Sequence, residues 1–162
     1  MALDPQVKKQ VLRKLTYGLY VVSAAQGGEL AAGTVNWLSQ ASFTPPLVMV
    51  GLKVDSLLHA VVDRARAFAV NVLSADQKDV AQAFFRSTEV RDGRVNGYAF
   101  EPGATTGAPV LAVVPAWFEA RVTDAVKRGD HTVYVAEVVH AGLRDPQARP
   151  LDMWETGWFY GG

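Results

Sequence analysis

The spacing of apolar positions changes several times along this chain, and each change marks an element. Asp4-Pro5 pairs an N-cap carboxylate with Pro at a first helical position, and Val7, Val11, Leu12 and Leu15 then share one side of a short amphipathic helix. Lys8, Lys9, Arg13 and Lys14 flank or oppose that stripe, as a solvated face does. From Tyr17 to Ala24 the residues turn aromatic and β-branched, Gln26-Gly27-Gly28 is a hairpin signal, and Leu30 to about Asn36 pairs back. Pro45-Pro46 bars a ladder position, and Leu47 to Leu52 reads as a fully buried strand. Asp55 or Ser56 caps a helix carrying Leu57, Leu58, Val61 and Val62. Ala67 to Leu73 is another strand, and Ser74 is expected to cap a helix running through Phe85, with Asp76 favouring its dipole.

Arg86 to Gly107 has few periodic apolar residues and reads as a long excursion. Trp117 to Val126 then alternates, with Phe118, Ala120, Val122 and Val126 opposed to Glu119, Arg121 and Thr123. Arg128-Gly129-Asp130 turns the chain into a second long strand, His131 to Ala141, and Pro150 is expected to open a short terminal strand before the aromatic tail Trp154 to Gly162. Hairpin returns make the sheet largely antiparallel, and six or seven strands of this length normally close into a barrel. The fold class is therefore mainly β with a few helices, in a single domain over residues 1–162. Strands apolar on both faces call for cover on the outside of the barrel, from helices or, preferably, from a second copy in a homodimer.

Composition narrows the function. Sixteen basic and sixteen acidic residues leave no electrostatic footprint for nucleic acid or an anionic membrane. The absence of cysteine removes disulfides, thiolate metal sites and cysteine nucleophiles. No apolar run is long enough to span a bilayer and no secretory stretch opens the chain, so a cytoplasmic location is expected. There is no GxGxxG after a strand, no P-loop and no GxSxG elbow, and His59, His131 and His140 lack metal-ligand spacing.

A planar cofactor fits what remains. A flavin needs a flat apolar slot, donors for its ring carbonyls and a separate anion site. Thr34, Asn36, Ser39, Gln40 and Ser42 concentrate hydroxyls and amides beside the Pro-Pro break, while Ser56 and Lys53 stand where a helix start attracts phosphate. The Asp55 carboxylate opposes that use. The same Ser/Thr cluster also fits an ordinary loop between two buried strands.

The order of motifs goes further. GTVNWLSQASFTPPLVMVGL, KVDSLLHAVV, FAVNVLSADQKDVAQAFF and GDHTVYVAEVV together resemble the flavin reductase-like family of FMN-binding split barrels, from about Tyr17 to Val139. The resemblance implies a homodimeric, six-stranded antiparallel split β-barrel of Greek-key type, with FMN (or FAD) near the subunit interface. It implies an NAD(P)H-dependent flavin reductase drawing on NADH or NADPH and serving a flavin-dependent monooxygenase or redox protein; the alternative is a flavoredoxin-like FMN electron carrier. Carried over by position, Gly33, Thr34, Val35, Asn36 and Trp37 lie along the isoalloxazine and ribityl chain, and Ser39 and Gln40 meet ring or ribityl oxygens. Lys53, Val54, Ser56 and His59 match the phosphate-side segment. Asn71 is either a site group or a core hydrogen-bonding residue; Phe85 and Arg86 pass the flavin, though Arg86 also suits a helix C-terminus. His131, in the GDH motif, belongs near the nicotinamide as the catalytic candidate or else satisfies its hairpin through Asp130. Relatives often carry serines at Asn36-Trp37 and Gly at Ala136. The tail WETGWFYGG resembles the flavoredoxin-like branch, and Trp158 or Tyr160 could cover the flavin, the partner subunit or simply the core.

Overall fold

Asp4 caps the first helix, α1 (Pro5–Leu12), by accepting from the amides of Gln6 and Val7 at 2.8 and 3.2 Å. The helix forms as expected but buries nothing: Val7, Val11, Leu12 and Leu15 are 54, 61, 43 and 54% exposed. In the computed structural model, which describes residues 1–162, eleven strands and three further helices follow. They are β1 (Tyr20–Gln26), β2 (Glu29–Val35), β3 (Leu38–Ser42), β4 (Leu47–Lys53), α2 (Leu57–Ala65), β5 (Ala67–Val72), α3 (Lys78–Ala83), β6 (Val90–Arg91) and β7 (Arg94–Val95). The chain continues through β8 (Tyr98–Pro102), β9 (Pro109–Leu111), β10 (Ala116–Lys127), β11 (His131–Leu143) and α4 (Met153–Thr156).

Seven strands form one antiparallel sheet in the order β2-β1-β5-β10-β11-β4-β3, where six were expected from the resemblance. Gly27 and Gly28, at φ +58° and +83°, make the two-residue turn that sets Gln26 opposite Glu29. The outermost strands, β2 and β3, are joined only by Asn36 and Trp37. Laid flat, seven strands would hold the outer two roughly 29 Å apart. Three residue steps reach about 11 Å at most. The sheet is therefore strongly curled, its two edges drawn together at Asn36-Trp37.

Both faces of the curled sheet are buried, which explains the run from Tyr20 to Ala24. Val22 and Ala24 join Phe68, Val70, Tyr134 and the α2 residues Val61 and Val62 in one core. Val21 faces the other way, into a second core with Val80, Phe84, Leu111 and Met153. The chain thus covers this outer face with its own α3, α4 and β9, the intramolecular form of the cover expected from sequence.

Four expectations fail locally. Ser74 does not cap a helix, because an isolated bridge to Pro150 and the Ala75 amide bond to Arg149 (2.7 Å) hold the segment extended; α3 starts at Lys78 without a side-chain cap. Pro150 makes only that single bridge, not a strand, and the chain passes into α4. The excursion after Arg86 is structured: β6 to β9 form a small second sheet. Finally, Glu119 is fully buried rather than on the polar face of β10. A register shift follows it, and the 103–108 segment covers its carboxylate, which accepts from the Thr106 amide and hydroxyl at 2.7 Å each.

Candidate active site

A cavity of about 960 Å³ opens between the end of β2, the β4–α2 junction, the segment after α3, and the C-terminal tail. This lies at the upper end for small-molecule sites. As a sheet edge, β2 needs outward partners, and the 81–88 segment supplies them. The Thr34 amide donates to Phe84 O (3.3 Å), the Thr34 hydroxyl to Ala81 O (2.6 Å), and Thr88 Oγ1 both accepts from and donates to the backbone of Ala32 (3.1 Å each). These bonds pin Phe85 and Arg86 beside Gly33 to Asn36.

One part of the lining is cationic and rich in donors. Ser56, not Asp55, caps α2: its hydroxyl accepts from the His59 amide at 3.1 Å and donates to Lys53 O at 2.8 Å. First-turn amides of a helix have no intrahelical acceptor, and Leu57 and Leu58 both border the cavity. Lys53 is drawn toward Asp55 at 3.4 Å, whereas Arg86 makes no ion pair. The remaining lining is largely apolar or aromatic, with Leu19, Leu52, Phe84, Phe85, Trp158 and Phe159.

The tail runs across the cavity from α4. Trp158 packs edge-on against Phe85 (4.8 Å) under the Lys78 ammonium, and the Arg13 guanidinium lies 5.1 Å over the Phe159 ring. Arg13 also donates to Gly161 O at 3.2 Å, tying the tail to α1. The Tyr160 hydroxyl lies 2.6 Å from His131 Nε2, and Asp130 holds His131 Nδ1 at 2.8 Å. That bond from His131 holds the Asp130 carboxyl below the usual carboxylate range, while burial pushes the Tyr160 phenol up. Trp37 sits 4.5 Å from His131 and 5.2 Å from Tyr160, its indole nitrogen buried with no acceptor.

Of the residues singled out from sequence, Gly33, Thr34, Val35, Asn36, Lys53, Ser56, Phe85 and Arg86 border the cavity. Asn36 is buried, with its amide 3.2 Å from Met153 Sδ. Trp37 and His131 stand one layer back, behind Tyr160. Five others are placed elsewhere. Ser39 and Gln40 lie exposed on β3, because the chain has crossed to the other sheet edge after Asn36-Trp37. Val54 is exposed and does not border the cavity, its amide bonded to Asp130 O at 3.0 Å. His59 turns from the cavity to Thr132 Oγ1 at 2.8 Å, with its ring beside Tyr134. Asn71 is a core residue: its amide donates to Val21 O and Pro109 O and its carbonyl accepts from the Leu111 amide, tying β9 to β1 and β5. Sequence reasoning missed Ser87, Thr88 and Met153, and left Trp158 and Tyr160 unranked. For Ser87 and Thr88 a signal was present, since they directly follow Phe85-Arg86.

A planar, phosphorylated ligand fits this donor set: an apolar and aromatic slot, helix-start amides, Ser56 and two cations. The comparisons point the same way. The chain is 32% identical over 83% of its length to a probable flavin reductase of Rhizobium meliloti (strain 1021), of which it spans only 42%. It is 32% identical over 92% of its length to the NADH-dependent flavin reductase StyB of Pseudomonas fluorescens, covering 85% of that protein. Among solved structures it matches the Streptomyces globisporus NADH:FAD oxidoreductase SgcE6 in complex with NAD and FAD fragments, with TM-score 0.76, 26% identity, and 93% and 90% of the two chains covered. The styrene monooxygenase flavin reductase of Pseudomonas putida S12 gives TM-score 0.73 at 31% identity over 88% of this chain and 89% of that one. The flavin reductase like domain model matches residues 12–161, and with the curled antiparallel sheet and its amphipathic cavity this places the chain in the flavin reductase-like family.

Proposed function

We propose that this protein is an NADH-dependent flavin reductase that binds FMN in the cavity beside β2. The observation that carries the reading is the single cavity joining an apolar, aromatic slot to the cationic start of α2. Gly33 to Asn36 and Phe85 would flank the ring system, FAD sharing the same ring; Ser56, the first-turn amides of α2 and Arg86 would hold the phosphate. The chemistry supplied by bound flavin is acceptance of hydride from a dihydronicotinamide and onward delivery of the electrons. The chain's own residues bind, orient and exclude water, which is why no acid–base dyad is needed among them.

Two finer features belong to this reading. The curled sheet is a split barrel, and it works as a homodimer. The exposed stripe Val7, Val11, Leu12 and Leu15, with Phe43 at 92% exposed, supplies apolar surface for a second copy to cover. A flavin-dependent monooxygenase is the partner class the reading implies, and a cytoplasmic location goes with use of NADH. No helix is long and apolar enough to cross a membrane. Anaerobic mixing with NADH tests the activity: the oxidised flavin absorbance should bleach, and a spectrum unchanged by NADH and NADPH overturns it.

A further inference from the structure

We propose that Tyr160, not His131, presents the reading atom to the bound ligands, accepting a hydrogen bond from a ligand N–H, with Asp130 and His131 as positioning residues behind it. The proposal rests on the reductase reading for its ligands. Its basis is placement. The His131 side chain is only 13% exposed, both its ring nitrogens are engaged, and it does not border the cavity, whereas Tyr160 does.

The direction of each bond follows from the donors available. Asp130 is an acceptor only, so His131 Nδ1 carries the proton that joins them. In the neutral imidazole, Nε2 is then a lone pair and must accept from the Tyr160 hydroxyl. With its one proton committed to His131, the phenol offers the cavity lone pairs alone. It therefore selects a ligand donor over a ligand acceptor. The ring is held for this between Trp37 and His131, with centroids at 5.2 and 5.7 Å. The proposed ligands carry three N–H donors, the nicotinamide carboxamide, the imide N3–H of the flavin and the adenine amino group of the dinucleotide; the first two sit on the reacting rings and are the ones assigned to Tyr160.

Binding measurements separate these sources without turnover. The first arm compares NAD+ with 3-acetylpyridine adenine dinucleotide, which lacks the amide N–H, on FMN-saturated protein. The second compares FMN with N3-methyl-FMN. The wild type should favour the N–H ligand about fivefold in one arm, and Tyr160→Phe should abolish that preference. Loss in the first arm assigns the carboxamide, and loss in the second the imide. His131→Ala should free the Tyr160 proton to donate, so the ligand lacking the N–H should bind more tightly than it does to wild type, whereas mere loss of packing would weaken both ligands of the pair. If wild-type protein binds flavin and is bleached by NADH, yet Tyr160→Phe leaves both preferences intact, the inference fails while the reductase reading stands. If wild type neither binds flavin nor bleaches, the reductase reading itself fails.

Discussion

Gly161 lies on the indole of Trp37 so closely that a β-carbon there would come 2.7 Å from Cζ2. Its backbone also sits at φ +84°, a region that side-chain-bearing residues avoid. Gly161→Val should therefore dislodge the tail from Trp37 while leaving the sheet intact. Limited proteolysis should cut the chain after Gly157 several-fold faster than in wild type, with far-UV circular dichroism unchanged; equal cleavage rates would show that the contact does not hold the tail.

Arg86 is the cavity cation that no carboxylate neutralises, whereas Lys53 is already drawn to Asp55. Arg86→Ala is predicted to weaken FMN binding by about tenfold at low salt and to leave riboflavin, which lacks the phosphate, unaffected. Fluorescence titration of both ligands checks this. Equal weakening of the two would mean that Arg86 supports the cavity wall and not the anion.

Asn71 satisfies three backbone partners within the buried core. Asn71→Ala leaves them unpaired and opens a void, which should cost about 2–4 kcal/mol. Urea denaturation should show a lower midpoint, and FMN affinity at low urea should stay near wild type because Asn71 does not border the cavity. A large affinity loss in folded protein would return Asn71 to the site.

Asp63 contributes to the pH dependence of stability. Asp63 is held below the usual carboxylate range, first by its hydrogen bond from Lys127 (2.9 Å) and then by that from Tyr134 (2.8 Å). Tyr134 is correspondingly pushed up, by burial first and then by this bond. A carboxyl with a lowered folded value binds protons more readily when unfolded, so its stabilisation is present above about pH 4 and is lost as pH falls through the folded value. Asp63→Asn should flatten the fall in stability below about pH 4. A slope identical to wild type would remove Asp63 from the account.

How much of this was legible beforehand differs by element for physical reasons. The β1–β2 hairpin could be read because Gly27-Gly28 and the flanking alternation are local signals, and α1 could be read from Asp4-Pro5 for the same reason. Ser74 misled because its competing partner, Pro150, lies far along the chain. Glu119 looked solvent-facing by period, but a register shift and the distant 103–108 segment decide its surroundings. The motif positions on β2 and after α3 border the cavity together, since each is a continuous stretch. Ser39 and Gln40 do not border it, because Asn36 and Trp37 carry the chain from one sheet edge to the other, which nothing in sequence announces. Tyr160 could be noticed as aromatic, yet its bond to His131 spans 29 positions and emerges only when the tail folds back.

The strand order has a kinetic consequence. β4 finds β3 at once, but its other edge pairs with β11, about 80 residues later. During synthesis, the β3–β4 hairpin therefore waits with an unpaired edge, bearing Val48, Val50 and Leu52, until the long β10–β11 hairpin leaves the ribosome. Chains stopped before residue 131 should expose that edge and aggregate, so the last hairpin, besides supplying His131, closes the interval in which the nascent chain is vulnerable.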